Sequence, residues 1–367
     1  MILVMTRVAL AHDYLIDRAG SERVLVSMVH AFPGAPIHTA FYRPEATYPE
    51  LAAADVRPFV VDRIPGLRDR HQMALPLLPL AFGRHRIDAD VVVCGTSGWS
   101  AGIRTRGRKV LYVHAPSRWL NDQESFLAGR RSFERVGLRA IEPWLRRWDR
   151  KAIGSGDRVL VPSRGMADVL ASLYGVDAEV LPPPVAIDPD GEAVAPVDDV
   201  EPGFVLVPAR LVVNKNVDVI IEAFRARPAD RLVVVGAGPE RDRLAALLPP
   251  NARLLPRVDD AGMRWLLAAC RAVAVASNES FGLVIVEAAR FGRPCVALRS
   301  EGSLETVVDG ETGVLFEEPT PVALGAALDR LAALDVDADR VRAHAARWSE
   351  AVFVDRLRAV VAEVAAT

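Results

Sequence analysis

Short apolar runs rich in Val, Leu and Ala alternate with segments of helical period from one end of the chain to the other. The runs predict strands at Val8–Ala11, Pro36–Ala40, Val56–Val60, Val91–Cys94, Val110–Val113, Arg158–Val161 and Glu179–Leu181 in the first half. In the second half they predict strands at Phe204–Pro208, Leu232–Val235, Arg253–Leu255, Ala272–Ala276, Cys295–Leu298 and Gly313–Phe316. Helices are expected between them, among them Ser21–His30, Ser163–Leu173, Val217–Arg225, Glu240–Leu248, Asp259–Ala269 and Phe281–Phe291. Several strands are apolar at every position, which is how strands of a parallel sheet covered on both faces read. The pattern therefore predicts an α/β architecture with mostly parallel sheets.

One stretch interrupts the alternation. Leu181–Gly203 holds Pro182–Pro184, Pro189, Pro196, Pro202 and several acids, and reads as a stiff surface linker between two halves of domain size. Ala338–Ala366 reads as one helical segment, with Trp348, Val352, Phe353, Leu357, Val360 and Val361 as its apolar face. The expected organisation is residues 1–183, residues 184–345, and a terminal helix from 346 to 367.

Composition narrows the classes of partner. A net charge of −2 over 367 residues provides no field for nucleic acid. Cys94, Cys270 and Cys295 lie in or beside apolar runs without a C-x-x-C, so buried free thiols in a reducing compartment are expected. No apolar run approaches the ~20 residues of a spanning helix, and the start of the chain is too short for a signal peptide, so a cytoplasmic protein is expected. Two segments leave peripheral contact with the inner face of a membrane open. Met73–Phe82 is apolar and flanked by Arg68, Arg70, His71, Arg84, His85 and Arg86. Gly129–Lys151 carries seven Arg and one Lys interleaved with Phe133, Ile141, Trp144 and Trp148. Such segments rest on an anionic bilayer or are buried helices with solvated rims.

The candidate chemistry gathers at the carboxyl ends of the strands, where open α/β sheets take their ligands. His12 and Asp13 follow the first strand, Thr96, Ser97 and Trp99 follow Val91–Cys94, and His114 follows Val110–Val113. Arg210 and Lys215 bracket a short loop after Phe204–Pro208 and suit a diphosphate, one as a fork and one as a point charge. Ser277–Leu283 ends the run Ala272–Ala276. With Ser280 as N-cap, the amides of Phe281, Gly282 and Leu283 would open a helix toward an anion, between Glu279 and Glu287. Gly20 and Ser21 offer a second such helix start, and Arg118 beside His114 adds a cation. Gly236-Ala-Gly238 has Arg241 where a dinucleotide fingerprint needs its third glycine, so it reads as a tight turn, not a nicotinamide site. Asp88-Ala-Asp90 precedes its strand, away from the carboxyl ends, and no Cys/His spacing suggests a metal.

Ser277-Asn-Glu279-Ser-Phe-Gly282-Leu-Val-Ile-Val-Glu287-Ala resembles the E-x7-E signature of retaining glycosyltransferases of family 4. The other motifs occur in that family's order: the first loop and helix through Glu22, the His114 segment, Arg210/Lys215, Gly236/Gly238 and Gly310–Phe316. His114–Leu120 and His12-Asp-Tyr-Leu15 look most like mannosyltransferase-type members. The resemblance implies the GT-B fold: two Rossmann-like domains facing across a cleft, the acceptor in the first and the nucleotide-sugar donor in the second. The C-terminal helix then crosses back to the N-terminal domain. It implies Glu279 on the donor sugar and Glu287 on the ribose. Arg210, Lys215 and the Phe281–Leu283 amides would hold the diphosphate, with Ser280, Gly236 and Gly238 lining the donor. His114 would lie near the reacting sugar, and His12, Gly20 and Arg118 on the acceptor side. It implies no metal and no cofactor beyond the donor. The expected reaction is transfer of a hexose, mannose from GDP-mannose, to a glycan or lipid-linked acceptor. A related epimerase and a non-catalytic nucleotide-sugar binding module are the alternatives. The chain departs from the family in having Lys215-Asn216 for Lys-Gly, Ala19-Gly20 for a double glycine, and Glu279-Ser280-Phe-Gly for E-G-F-G.

Overall fold

The strands form two fully parallel sheets whose order places the site residues. The computed structural model describes residues 6–68, 74, 77–121, 132–185, 187–197 and 200–367; the side chains of Arg118, 132–138 and 140 are outside that set. The chain divides into two compact units, Met1–Pro184 with Glu350–Thr367, and Val185–Ser349.

In the first unit β1 (Val8–His12), β2 (Ile37–Thr39), β3 (Val56–Pro58), β5 (Val91–Thr96), β7 (Arg108–Val113), β8 (Arg158–Val161) and β9 (Glu179–Val180) form a sheet ordered β3-β2-β1-β5-β7-β8-β9. A separate two-stranded ladder joins β4 (Arg86–Ile87) and β6 (Arg104–Thr105), which are too short for the hydrophobic pattern to reveal. In the second unit β10 (Val205–Pro208), β11 (Leu232–Val235), β12 (Ala252–Leu255), β13 (Ala272–Val275), β14 (Cys295–Leu298) and β15 (Gly313–Phe316) order as β12-β11-β10-β13-β14-β15. Renumbered within the unit this is 3-2-1-4-5-6, the doubly wound order, and the direction in which successive strands are added reverses between the parallel neighbours β10 and β13. All four residues of β11, β13, β14 and β15 are buried, as the apolar runs predict. Cys94, Cys270 and Cys295 are buried and free.

Two expectations are corrected. The segment after Leu181 is only partly a surface linker: Val185, Ile187 and Val200 are buried, the last two in the core of the second unit. The terminal segment is two helices, Ala338–Ala345 and Glu350–Ala365, separated by a 3-10 turn at Ala346–Trp348 and an extended Ser349. Trp348 packs with the second unit, while Phe353, Leu357, Val360 and Val361 pack in the first unit's core against the helix Gly20–Ala31 and β7; Val352 is exposed. The terminal helix thus begins at 350 and not at 346. Asp88 and Asp90 lie at the amino end of β5, as their place before the strand implies, and Arg7 engages them at 3.7 and 3.1 Å.

Among the described residues no helix is long and apolar enough to cross a membrane. Of the apolar stretch Met73–Phe82, Leu78–Arg84 is helical with Leu80 exposed; Met73, Arg70 and His71 lie outside the described residues. Of the basic stretch Gly129–Lys151, the part from 132 on belongs to the helix Ser132–Ile153, on which Trp144 is exposed and Pro143, Arg146, Arg147, Arg150 and Lys151 line a shallow pocket; Arg130 and Arg131 lie outside the described residues.

Candidate functional site

At the reversal point of the second sheet, Arg210 follows β10 and Glu279 follows β13. The Lys215 ammonium reaches Glu279 Oε1 at 2.5 Å, and the Ser277 hydroxyl donates to the same oxygen at 2.5 Å. Both partners keep about a fifth of their side-chain surface in contact with solvent, 20% and 21%. The pair is therefore accessible to a ligand and less screened than a surface ion pair. Arg210 is exposed, and its guanidinium has no partner among the described residues. Gly236 and Gly238 support this loop rather than merely line it. A Cβ on either would lie 1.9 Å from the Ala209 carbonyl oxygen or 2.2 Å from that of Leu211, so only glycine lets the two backbones pack.

Asn216 explains one departure from the family pattern. It is the only non-glycine residue with positive φ among those described, at 49°. Its side-chain amide donates to the Ala276 carbonyl at 2.8 Å, so the left-handed turn is secured by a strut to the end of β13. Glycine would fit the turn without tying Lys215 to the segment that carries Glu279.

The helix after Glu279 starts at Leu283, two residues later than expected. Its N-cap is Gly282, with φ +86°, and Ser280 is not the cap. The amides of Leu283 and Val284, not those of Phe281 and Gly282, open the first turn, since Ile285 already donates to the Gly282 carbonyl at 2.9 Å. The cause lies some twenty residues downstream. Gly302 donates its amide to the Glu279 carbonyl at 2.9 Å, the Ser300 hydroxyl accepts from the Glu279 amide at 3.3 Å, and a Cβ on Gly302 would lie 2.4 Å from the Phe281 nitrogen. The backbone of 279–281 is clamped before it can turn helical. We expect Gly302→Ala to displace this clamp: the variant should melt lower and bind nucleoside diphosphate about tenfold more weakly by calorimetry, an overpacking effect of 1–3 kcal/mol. Wild-type binding would show that the clamp does not set the loop. Glu287 lies in the second turn of the helix, half-buried.

In the first unit the site candidates also meet at a reversal point, between β1 and β5. Asp13 is buried and accepts from the amides of Ser97, Trp99 and Ser100 at 2.8, 3.1 and 2.7 Å, and from the Thr96 hydroxyl at 3.3 Å. It organises the loop after β5. His12 is 3% exposed, with Nε2 3.8 Å from Glu22 Oε1, and its ring meets that of His114 edge-on at 6.0 Å. His12 Nδ1 and His114 Nε2 are both buried without a hydrogen-bond partner among the described residues, and both face Gly95. Gly20 is the exposed first residue of its helix. Ala19 is the N-cap, whereas Ser21, expected there, donates to Glu22 Oε2 at 2.9 Å. Arg118 opens the short helix Arg118–Asn121, and its side chain lies outside the described residues. The loop carrying His114 is tied down by Asp149, which accepts from Ser117 and Tyr174, each at 2.7 Å.

Burial, and secondarily His12, pulls the His114 pKa down to about 3. Burial and then His85 pull that of His38 to about 4, where the two rings share a 2.9 Å hydrogen bond. Both groups are neutral when folded and titrate near 6.5 when unfolded. The unfolded chain therefore binds more protons from pH 6.5 down to about 4, and stability falls as pH falls through that window. The melting temperature should drop between pH 7.5 and 5, at a cost on the order of 1–2 kcal/mol per histidine. A replacement of His38 should flatten the profile, and an unchanged slope would contradict its buried neutral state.

Sequence reasoning missed Ser277, Asn216, Ser300 and Gly302 as site determinants. Their only signal was turn chemistry at strand ends, which every α/β protein has. Among the described residues no group of three or more His, Cys, Asp or Glu side chains is arranged to hold a metal ion.

Residues 18–189 match the family model Glycosyltransferase Family 4, and residues 194–350 match Glycosyl transferases group 1. A D-inositol 3-phosphate glycosyltransferase of Xylanimonas cellulosilytica is 29% identical over 85% of both chains. That of Mycobacterium bovis is 30% identical over 72% of this chain and 62% of its own. The fold resembles an Anabaena protein solved in complex with UDP and glucose, with 18% identity, TM-score 0.70, and 97% and 100% of the two chains covered. It also resembles a sucrose-phosphate synthase from Thermosynechococcus elongatus, with 16% identity, TM-score 0.69, and 98% and 99% covered.

Proposed function

Because the chain belongs to the glycosyltransferases, a family 4 domain followed by a group 1 domain in the GT-B fold, we propose that it moves a hexose from a nucleotide sugar to a glycan or lipid-linked acceptor with retention of configuration. The observation that carries this reading is the Lys215–Glu279–Ser277 cluster at the reversal point of the second sheet, with Arg210, which has no side-chain partner among the described residues, in the same loop as Lys215. Departure of a nucleoside diphosphate builds negative charge, and preorganised cations where that charge develops lower the barrier. Lys215 and Arg210 supply them, with the first-turn amides after Gly282 as further donors, and no metal takes part. Glu279 holds the donor sugar hydroxyls and Glu287 the ribose. Neutral His114 offers a hydrogen bond to the reacting sugar, and His12, Gly20 and Arg118 serve the acceptor. The departing phosphate assists attack on the face it leaves.

Mannose from GDP-mannose is the donor favoured by the His12–Leu15 and His114–Leu120 segments. A UDP-hexose is the second reading, favoured by the UDP and glucose in the Anabaena neighbour. Melting shifts with UDP-, GDP- and ADP-sugars decide between them, since tight binding raises the midpoint. Incubation with labelled donors tests the reaction. Nucleotide release that depends on acceptor supports transfer. An isomerised donor replaces it by epimerisation, and binding without turnover leaves only a binding module.

Peripheral contact with an anionic bilayer at the cytoplasmic face belongs to the same proposal, through exposed Trp144 and the cations of the helix Ser132–Ile153. Cosedimentation with vesicles containing anionic lipid, lost in high salt, would support it.

A further inference from the structure

Phe281 belongs to the loop between Glu279 and the helix Leu283–Arg290, but its ring points away from solvent. It is 3% exposed and lies in a small core with Val185, Val286, Ala289, Val341, Ala345 and Trp348. The Trp348 ring meets it edge-on, with centroids 5.9 Å apart and planes at 81°. Trp348 is itself held from the other side. The Arg347 guanidinium lies 4.3 Å over its ring, and His344 meets it edge-on at 5.0 Å while reaching the Thr306 carbonyl at 3.1 Å.

The backbone around Trp348 makes this more than a packing contact. Its carbonyl accepts from the Val185 amide at 3.1 Å, and Val185 and Ser349 form a parallel bridge. The Val185 carbonyl accepts from Arg290 Nη1 at 3.1 Å, at the end of the helix that carries Glu287. The first and last residues of the second unit are thus fastened to each other, and to both ends of the segment Phe281–Arg290, around one indole.

We propose that Trp348 is a positioning residue for the donor loop. Through Phe281 it sets the backbone of Glu279–Leu283, and so the aim of the Glu279 carboxylate and of the first-turn amides. Through Val185 and Ser349 it makes the ends of the unit and the loop change together. The coupling of the loop to the ends of the unit stands on packing alone; the effect on donor binding rests on the donor reading of Glu279.

Two measurements on the full chain test it, with Trp348→Ala and Trp348→Phe compared to wild type. Phe keeps an aromatic edge for Phe281, whereas Ala removes it. In ligand-free hydrogen exchange, Trp348→Ala should lose at least about tenfold protection at residues 279–286 and 185–187 while β10, β11 and β13 keep theirs. Trp348→Phe should recover most of that loss. In transfer assays with UDP-glucose and GDP-mannose as probes, Trp348→Ala should raise donor KM about tenfold with acceptor KM unchanged, and Phe should restore it. A residue that only stabilises the fold would lower the amount of active enzyme and leave both KM values alone. Unchanged exchange at 279–286, or loss spread evenly over the sheet, overturns the proposal. If the wild type turns over neither probe, these two donors are what fail, and exchange still decides whether Trp348 sets the loop.

Discussion

Lys215→Ala is expected to lower turnover by at least ~100-fold, the loss that follows removal of a preorganised group stabilising developing charge. The Lys215 ammonium is committed to Glu279 at 2.5 Å, and among the described residues the other side chain on that carboxylate oxygen is Ser277, through its hydroxyl. The substitution thus removes the cation and leaves Glu279 with one neutral donor. Because Glu279 keeps 21% of its side-chain surface in contact with solvent, water can take the place of the ammonium, and the fold should tolerate the change. The melting temperature therefore moves little while turnover collapses. Lys215→Arg is not a conservative rescue: a planar fork does not reproduce a point charge held between two strand ends. Turnover at the wild-type rate in Lys215→Ala would remove the diphosphate from this loop.

Glu279→Gln should push two measurements in opposite directions. Without ligand, the Glu279 carboxylate is the anion on Lys215, the position proposed for a donor diphosphate oxygen. A nucleoside diphosphate lacking its sugar must displace this internal competitor and gains nothing from Glu279 in return. Glutamine keeps the shape and removes the charge, so bare UDP or GDP should bind about tenfold more tightly, a difference of about 1.4 kcal/mol. Transfer should fall by ~100-fold or more, because the carboxylate that grips the donor sugar hydroxyls is gone and charge-assisted hydrogen bonds are roughly twice as strong as neutral ones. Calorimetry with the nucleotide and an initial-rate assay with the complete donor read the two effects separately. Weaker nucleotide binding together with undiminished transfer would contradict both roles.

The strands were legible because their signal is local. Arg158–Val161, Leu232–Val235, Cys295–Leu298 and Gly313–Phe316 start and stop at the predicted residues, as does the helix Val217–Arg225. A strand buried on both faces must be apolar at every position, and turn residues must bound it. The grouping of polar residues at carboxyl ends follows from the same alternation. Asn216 shows where this legibility stops. In the sequence it is only a departure from Lys-Gly; its hydrogen bond to Ala276, sixty residues away, makes it a strut to the segment that carries Glu279.

By itself the sequence determined which segments are strands and helices, that the strands lie in mostly parallel sheets covered on both faces, and which polar residues stand at their carboxyl ends, since hydrophobic period and turn chemistry are properties of neighbouring residues. The tertiary structure alone decided which of those residues meet. It joined Lys215 to Glu279 across a gap of 64 positions, and it moved the helix start from Phe281 to Leu283. It also set Phe281 against Trp348, in the 3-10 turn between the two terminal helices. Each of these depends on two backbones approaching closely at Gly236, Gly238 or Gly302, or on one side chain filling a slot that another segment makes. Such contacts leave no period in either stretch, because the partner that enforces them lies elsewhere in the chain.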